Sequence, residues 1–214
     1  MKYELAIFDM DGTILNTLDD LADSMNHSLA TFGLPLKTVD EVRSYVGNGI
    51  RKAVERAVPK GFSVEQIDEV HDEFCRYYKD HCAIKTRPYD GILEVIKTLR
   101  ERGILTAVVS NKAEFAVQSL CVDYFDGLFD CYVGDKEGQR RKPYPDGVLS
   151  VLDKLGIAKE DAVYIGDSDV DFETAKNSEM DVIMVGWGFR DEEFIRSKGA
   201  EFVIHKPEEI LKFF

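Results

Sequence analysis

Apolar residues fall along this chain in two rhythms. Short apolar runs, partly β-branched, occur at 4–8 (ELAIF), 104–109 (ILTAVV), 162–165 (AVYI) and 181–185 (DVIMV). Each reads as a strand buried on both faces. Between the later runs the apolar positions take helical spacing, in 91–103 (GILEVIKTLRERG), 146–156 (DGVLSVLDKLG) and 169–179 (DVDFETAKNSE). The first two close on Gly103 and Gly156, glycine just past the last apolar position being a helix stop.

The first strand breaks this alternation. After it, some seventy residues pass without a convincing strand. Four segments in that stretch have near-helical apolar spacing: 17–33 (TLDDLADSMNHSLATFG), 38–47 (TVDEVRSYVG), 48–58 (NGIRKAVERAV) and 63–82 (SVEQIDEVHDEFCRYYKDHC). Gly, Pro and Ser stand at the breaks between them. Alternating strands and helices on either side of a helical insertion predict an α/β protein. Its Rossmann-like parallel sheet core, with helices on both faces, is expected over 1–13 and 84–214, and a small inserted helical domain over 14–83. Pro88 and Gly91 mark re-entry into the core. Phe115, Tyr124, Phe125 and Phe129 are expected to pack in it, and Cys75 and Cys82, seven apart, to share one buried stripe.

Charge narrows what the chain can bind. Its net charge of −13 argues against nucleic acid, which is held by basic surface that displaces counterions. A small anion can still bind where a metal ion or a local positive group receives it. The four cysteines form no CxxC pair, and the N-terminus shows no signal-peptide pattern, so a reduced, cytoplasmic setting is expected. No apolar run approaches the roughly 20 residues of a membrane helix. The helical insertion suits either a monomer or a homodimer.

In an open parallel sheet, ligands bind beyond the carboxyl ends of the strands. Here those ends are unusually polar. Asp9 and Asp11 follow the first strand, Ser110, Asn111 and Lys112 the second, and Gly166, Asp167, Ser168, Asp169 and Asp171 the third. Asp9 and Asp11, two apart in extended chain, point to the same side. Carboxylates that converge repel each other unless a cation sits among them. A hard divalent ion with oxygen ligands, Mg2+ above all, removes the conflict and commonly keeps positions open for phosphate oxygens. A phosphoryl group also needs donors and positive charge on its other oxygens. Ser110 and Asn111 are candidate donors, and Lys142, held in extended backbone by Pro143, is the candidate cation.

The four elements DMDGT (9–13), VVSNK (108–112), KPYP (142–145) and GDSDVD (166–171) stand in the order of the motifs of the haloacid dehalogenase superfamily, which the chain resembles from residue 4 to about 190. The segments YVGNGI, KPYPD and VGWGFR resemble its phosphoglycolate phosphatase-like subgroup. The resemblance implies a Mg2+-dependent phosphomonoester hydrolase acting on a small phosphorylated metabolite, 2-phosphoglycolate first. Asp9 would be the nucleophile that forms an aspartyl phosphate, and Asp11 the acid and then the base. Asp9, the backbone carbonyl of Asp11, Asp167 and Asp171 would hold the metal, and Ser110, Asn111 and Lys142 the phosphoryl group. The insertion resembles the family's helical cap. One departure is visible: Glu179 stands where a glycine is often found.

Within the insertion, Gly47, Asn48 and Gly49 admit two readings: a plain break between helices, or a nest of backbone N–H groups that meets the anionic leaving portion of a substrate. Arg51 either assists there or is an exposed helix residue. Other substrates stay open, namely pyrophosphate, a nucleoside monophosphate, a sugar phosphate, or phosphoryl transfer within a sugar phosphate as in a mutase. From other classes, a phosphoaspartate switch and a binding protein without catalysis are the rivals. Neither explains an acid two residues after the nucleophile together with every catalytic position filled.

Overall fold

The computed structural model of the protein describes residues 2–214. In chain order its elements are β1 (Leu5–Phe8), β2 (Leu15–Asn16), α1 (Leu18–Thr31), α2 (Val39–Tyr45), α3 (Ile50–Ala57), α4 (Val64–His81) and β3 (Arg87–Pro88). There follow α5 (Ile92–Glu101), β4 (Leu105–Ala113), α6 (Glu114–Phe125), β5 (Cys131–Asp135), α7 (Asp146–Leu155), β6 (Ala162–Gly166), α8 (Asp169–Asn177), β7 (Asp181–Val185), α9 (Glu192–Ser197) and β8 (Val203–Ile204). The chain divides into two compact units. One runs to Leu15 and resumes at Pro88, and the other is Asn16–Arg87. The chain crosses between them slightly later than its apolar pattern suggests, because β2 and β3 pair as a two-stranded ribbon at the crossing.

The first unit is built on a six-stranded sheet ordered β5-β4-β1-β6-β7-β8, with every pair parallel. From β1 the chain adds strands outward on one side, then returns to lay β6 against the other side of β1. The order therefore reverses between β1 and β6, and the crevice beyond their carboxyl ends is where such a sheet binds ligands. Side chains of β1 alternate between two cores. Ala6 and Phe8 join the one closed by Ile92, Val95, Ile96 and Leu99 of α5 and by Val117, Leu120 and Phe125 of α6. Leu5 and Ile7 join the other, closed by Val148, Val151 and Leu152 of α7 and Ala175 of α8. Helices on both faces leave β1 with no solvent-facing side, and all four of its side chains are fully buried.

The second unit is helical, as the spacing predicts. α1 buries Leu18, Leu21, Ala22, Met25 and Leu29, while α4 buries Ile67, Val70, Phe74 and Tyr78. Capping boxes start two of its helices, Thr38 with Glu41 for α2 and Ser63 with Gln66 for α4, and each satisfies orphan N–H groups of a first turn. The buried carboxylate of Asp20 in α1 accepts from the backbone N–H groups of Lys85 and Thr86 at 2.8–3.0 Å, which ties the start of the unit to its end. Among the described residues no helix is long and apolar enough to cross a membrane.

Three local expectations are corrected. Phe115 is 55% exposed rather than in the core: α6 is apolar nearly all round, and Val117, Leu120, Cys121 and Phe125 occupy its inner face, so Phe115 is left outside. Tyr124 and Phe129 are only partly buried against the core that Phe125 enters. Cys75 is exposed, unlike Cys82, because the α4 stripe passes through Phe74, one residue earlier. Glu179 takes φ +54° just after α8, the left-handed position that favours glycine at a helix end. Its carboxylate is paired with Lys159.

Candidate active site

At the end of β1 the chain turns sharply. Asp9 still donates its N–H to Ile165 of β6, at 2.9 Å, while the carbonyl of Met10 accepts from the N–H groups of Thr13, Ile14 and Leu15. Gly12 inside this turn has φ +93°, and a Cβ there would lie 2.4 Å from Oδ2 of Asp167. Only glycine lets the loop lie so close to that carboxylate. Gly188 and Gly166 make similar room, since a Cβ on either would lie 2.2–2.3 Å from the side chain of Asp167 or Asp171.

Each acidic group has a fixed set of partners. Asp167 accepts from Oγ1 of Thr13 at 3.0 Å and from the N–H of Phe189 at 2.7 Å. Asp171, on the first turn of α8, accepts from the N–H and the Oγ of Ser168 at 3.0 and 2.7 Å as half of a capping box. Nζ of Lys142 donates to Oδ1 of Asp9 at 2.8 Å, to Oδ1 of Asp171 at 2.7 Å and to the hydroxyl of Tyr164 at 3.0 Å. All three ammonium protons are thereby used. The Tyr164 hydroxyl in turn donates to the carbonyl of Val109, at 3.1 Å, where the register of β4 with β5 shifts.

Among the described residues, Asp9, Asp167 and Asp171 form the one group that places three candidate ligand oxygens within 4.8 Å of one another. All three are buried, and one buried ammonium stands beside them. Burial, and then repulsion from Asp171, push the Asp9 carboxyl well above its ordinary range despite Lys142. Burial and Asp171 likewise push Asp167 up to about 7, against the opposing donors Phe189 and Thr13. Burial pulls Lys142 down, but the charges of Asp171 and Asp9 outweigh it and hold the amine firmly protonated. Three acids against one cation is a site short of positive charge, and its donors are all carboxylate oxygens. Such a set fits a hard metal ion.

A pH dependence follows. Between its ordinary value of 3.8 and about 7, Asp167 holds a proton in the folded protein that it has lost in the unfolded one, and Asp9 is shifted in the same direction. Stability of the metal-free protein should therefore fall as pH rises through that window, with Asp9 adding to the fall in the same direction. Metal ligation requires the ionised carboxylates, so the rise in Tm on adding Mg2+ should grow from pH 5.5 to pH 8. Thermal melts with and without metal at each pH check both trends.

Ser110, Asn111 and Lys112 lie in the last part of β4, all buried. Nδ2 of Asn111 donates to the carbonyl of Lys142 at 3.1 Å, and Oγ of Ser110 accepts from the N–H of Lys112 at 3.3 Å. Asp11 points to a different cation from Asp9: its two oxygens accept from Nζ of Lys112 at 2.8 and 3.1 Å. Gly47, Asn48, Gly49 and Arg51 lie in the helical unit. There Asn48 accepts from Arg56 at 2.8 Å, Gly49 caps α3, and Arg51 is paired with Asp68 at 2.7 Å. The roles of Tyr164 and Phe189 are not legible in the sequence: the tyrosine stands in an apolar strand, and Phe189, though part of VGWGFR, acts through its backbone N–H.

Buried acids that call for a metal ion, beside a lysine and a strand end rich in donors, suit the cleavage of phosphate esters. The class so defined is a phosphatase on a parallel α/β sheet. A family model described as haloacid dehalogenase-like hydrolase matches residues 6–185, and the chain belongs to that family. It is 30% identical over 207 residues to a phosphoglycolate phosphatase of Aquifex aeolicus, covering 96% of this chain and 94% of that protein. It is also 30% identical to an N-acetylmuramic acid 6-phosphate phosphatase of Pseudomonas aeruginosa, covering 99% and 94%. A crystal structure described as that of a candidate phosphoglycolate phosphatase from Lactobacillus delbrueckii subsp. bulgaricus superposes with a TM-score of 0.94 at 40% identity, over 98% of this chain and 97% of that one.

Proposed function

We propose that this protein hydrolyses 2-phosphoglycolate to glycolate and inorganic phosphate with Mg2+ as its metal. The observation that carries the reading is the meeting of Asp9, Asp167, Asp171 and Lys142 at the reversal point of the sheet. Relatives named phosphoglycolate phosphatase that align along nearly the whole chain support the choice of substrate.

Asp9, Asp167, Asp171 and the backbone carbonyl of Asp11 would hold Mg2+, which would supply the positive charge that three carboxylates and a phosphate dianion need in order to meet. An oxygen of Asp9 attacks phosphorus, the bond from phosphorus to the glycolate oxygen breaks, and an aspartyl phosphate forms. Asp11 gives its proton to the departing oxygen. It then takes one from the water that attacks the aspartyl phosphate, which releases phosphate and restores Asp9. Lys142, Ser110 and Asn111 hold the phosphoryl oxygens, and Lys142 stays charged throughout because two carboxylates flank it.

The test is phosphate release from 2-phosphoglycolate beside pyrophosphate, a nucleoside monophosphate and sugar 6-phosphates, with Mg2+ and with chelator. A Mg2+-dependent preference for 2-phosphoglycolate is expected. Preference for a sugar phosphate would replace the substrate and keep the chemistry. Activity undiminished by chelator would overturn the role of the metal.

A further inference from the structure

Asp167 is held from two directions, and both holds run back to one side chain. Its Oδ1 accepts from the hydroxyl of Thr13 at 3.0 Å, and its Oδ2 from the N–H of Phe189 at 2.7 Å. Trp187, two residues before Phe189 in the loop after β7, donates its indole N–H to the carbonyl of Thr13 at 3.0 Å. These bonds close a ring: from Trp187 to Thr13, from Thr13 across Asp167 to Phe189, and back along the backbone through Gly188, where a Cβ would lie 2.2 Å from the side chain of Asp167. The indole is half-buried and packs on Tyr89, with ring centroids 6.5 Å apart, and the N–H of Tyr89 donates to the carbonyl of Ile14 at 3.2 Å. The indole N–H thus goes to backbone rather than to any of the acids, and the chemistry proposed above gives Trp187 no work.

We infer that Trp187 is a positioning residue for the metal: it holds the turn after β1 at the spacing from Asp167 that an ion the size of Mg2+ requires. This rests on the reading of Asp9, the Asp11 carbonyl, Asp167 and Asp171 as metal ligands. β1 and β6 are in register as far as Phe8 and Ile165, and Asp9 still donates its N–H to Ile165. Beyond Asp9 the turn leaves the sheet. Its bonds to the Met10 carbonyl fix its shape, but not its distance from Asp167. Thr13 fixes that distance, being fully buried and bonded at both ends, by its hydroxyl to Asp167 and by its carbonyl to Trp187. Each oxygen of Asp167 gives one lone pair to this ring and keeps another for a metal. Magnesium accepts only near-octahedral ligands at about 2.0–2.1 Å, whereas calcium takes about 2.3–2.6 Å in a flexible arrangement. Loosening the ring therefore weakens Mg2+ binding more than Ca2+ binding. A tryptophan that only filled the core would, when altered, weaken both ions alike or neither.

The experiment measures Mg2+ and Ca2+ affinity, read from the rise of Tm with metal concentration at pH 8, for the native protein, W187F and Trp187→benzothienylalanine, an isostere with sulfur in place of the N–H. Both changes remove the donor, and the isostere keeps the shape. Each should weaken Mg2+ binding by at least about 10-fold, the scale of losing an outer partner of a metal ligand, and Ca2+ binding by no more than about 3-fold. The preference for Mg2+ over Ca2+ should fall accordingly. T13V breaks the same ring at its other link, so W187F/T13V should bind Mg2+ about as the weaker single variant does, where independent effects would multiply. If W187F fails to fold without metal, the isostere decides. Unchanged Mg2+ affinity, or equal losses for both ions, would overturn the inference and leave the metal reading standing. So would losses in W187F and T13V that multiply. A native Tm indifferent to Mg2+ would overturn the metal reading and the inference with it.

Discussion

Exchanging Asp9 for asparagine is expected to lower kcat on 2-phosphoglycolate by at least about 10^4-fold, the scale of losing a covalent nucleophile. The amide oxygen is a poor nucleophile toward phosphorus, and no acyl phosphate can form through it. The loss should come without unfolding. Asp9 is buried against Asp171 and Asp167, and repulsion from both contributes to its raised pKa. A neutral side chain of the same shape relieves that repulsion, and Lys142 keeps its contacts with Asp171 and Tyr164 at 2.7 and 3.0 Å. The metal-free D9N protein should therefore melt at or above the native temperature. Two measurements check the pair of claims: acid-quenched single turnovers with labelled substrate, which should leave no label on D9N, and a thermal melt. More than about 1% residual activity would remove Asp9 from the nucleophile's role.

Much of this architecture is legible in the chain because burial on both faces imposes continuous apolar runs. The run before Asp9 and its counterparts before Ser110 and Gly166 mark the three central strands, and polar residues at their ends mark the crevice. The edges are harder to read. β5 (CYVGD) contains a glycine and ends on an acid, and it becomes a strand through pairing with β4. Its Gly134 is needed because a Cβ there would lie 2.4 Å from Cα of Glu114, a tertiary constraint that leaves no periodic trace. β4 runs on through Ser110, Asn111 and Lys112 to Ala113, polar residues that local pattern assigns to a loop.

The acids of the site were visible for a similar reason. Asp171 reads as part of a helix start, and Ser168 and Asp171 do cap one another. Pairings that depend on long-range geometry were not visible. That Asp9 and Asp11 are held by different lysines, although two residues apart in extended chain would share a side, follows from the tight turn after β1, in which the Met10 carbonyl accepts from three N–H groups and takes Asp11 out of extended chain. Which lysine faces which acid depends on β4 and on the loop before α7. Likewise the N–H of Phe189 meets Asp167 only because Gly188 brings the backbone against that carboxylate.

Replacing Lys142 by methionine should be the most damaging single change to stability at the site. It leaves Asp9, Asp167 and Asp171 buried with no ammonium among them, and removing one partner of a buried ion pair costs about 3–5 kcal/mol. For a chain of this length each kcal/mol moves Tm by about 2–4 °C, so a fall of about 6–20 °C is expected for the metal-free protein at pH 8. Two conditions should shrink the deficit. Lowering the pH toward 5 protonates Asp167 and Asp9, whose folded-state pKa values are already raised, and so removes the charges that Lys142 balanced. Adding Mg2+ supplies the missing positive charge directly. Stability and catalysis then separate: Mg2+ should restore much of the Tm of K142M, while kcat stays down by at least about 10^3-fold because the phosphoryl oxygens have lost their fixed cation. Arginine is no substitute, since its planar fork cannot place one nitrogen within 3 Å of Asp9, Asp171 and Tyr164 together as the lysine does. A K142M protein whose Tm matches the native one at pH 8 without metal would mean that the three acids already share enough protons to need no cation.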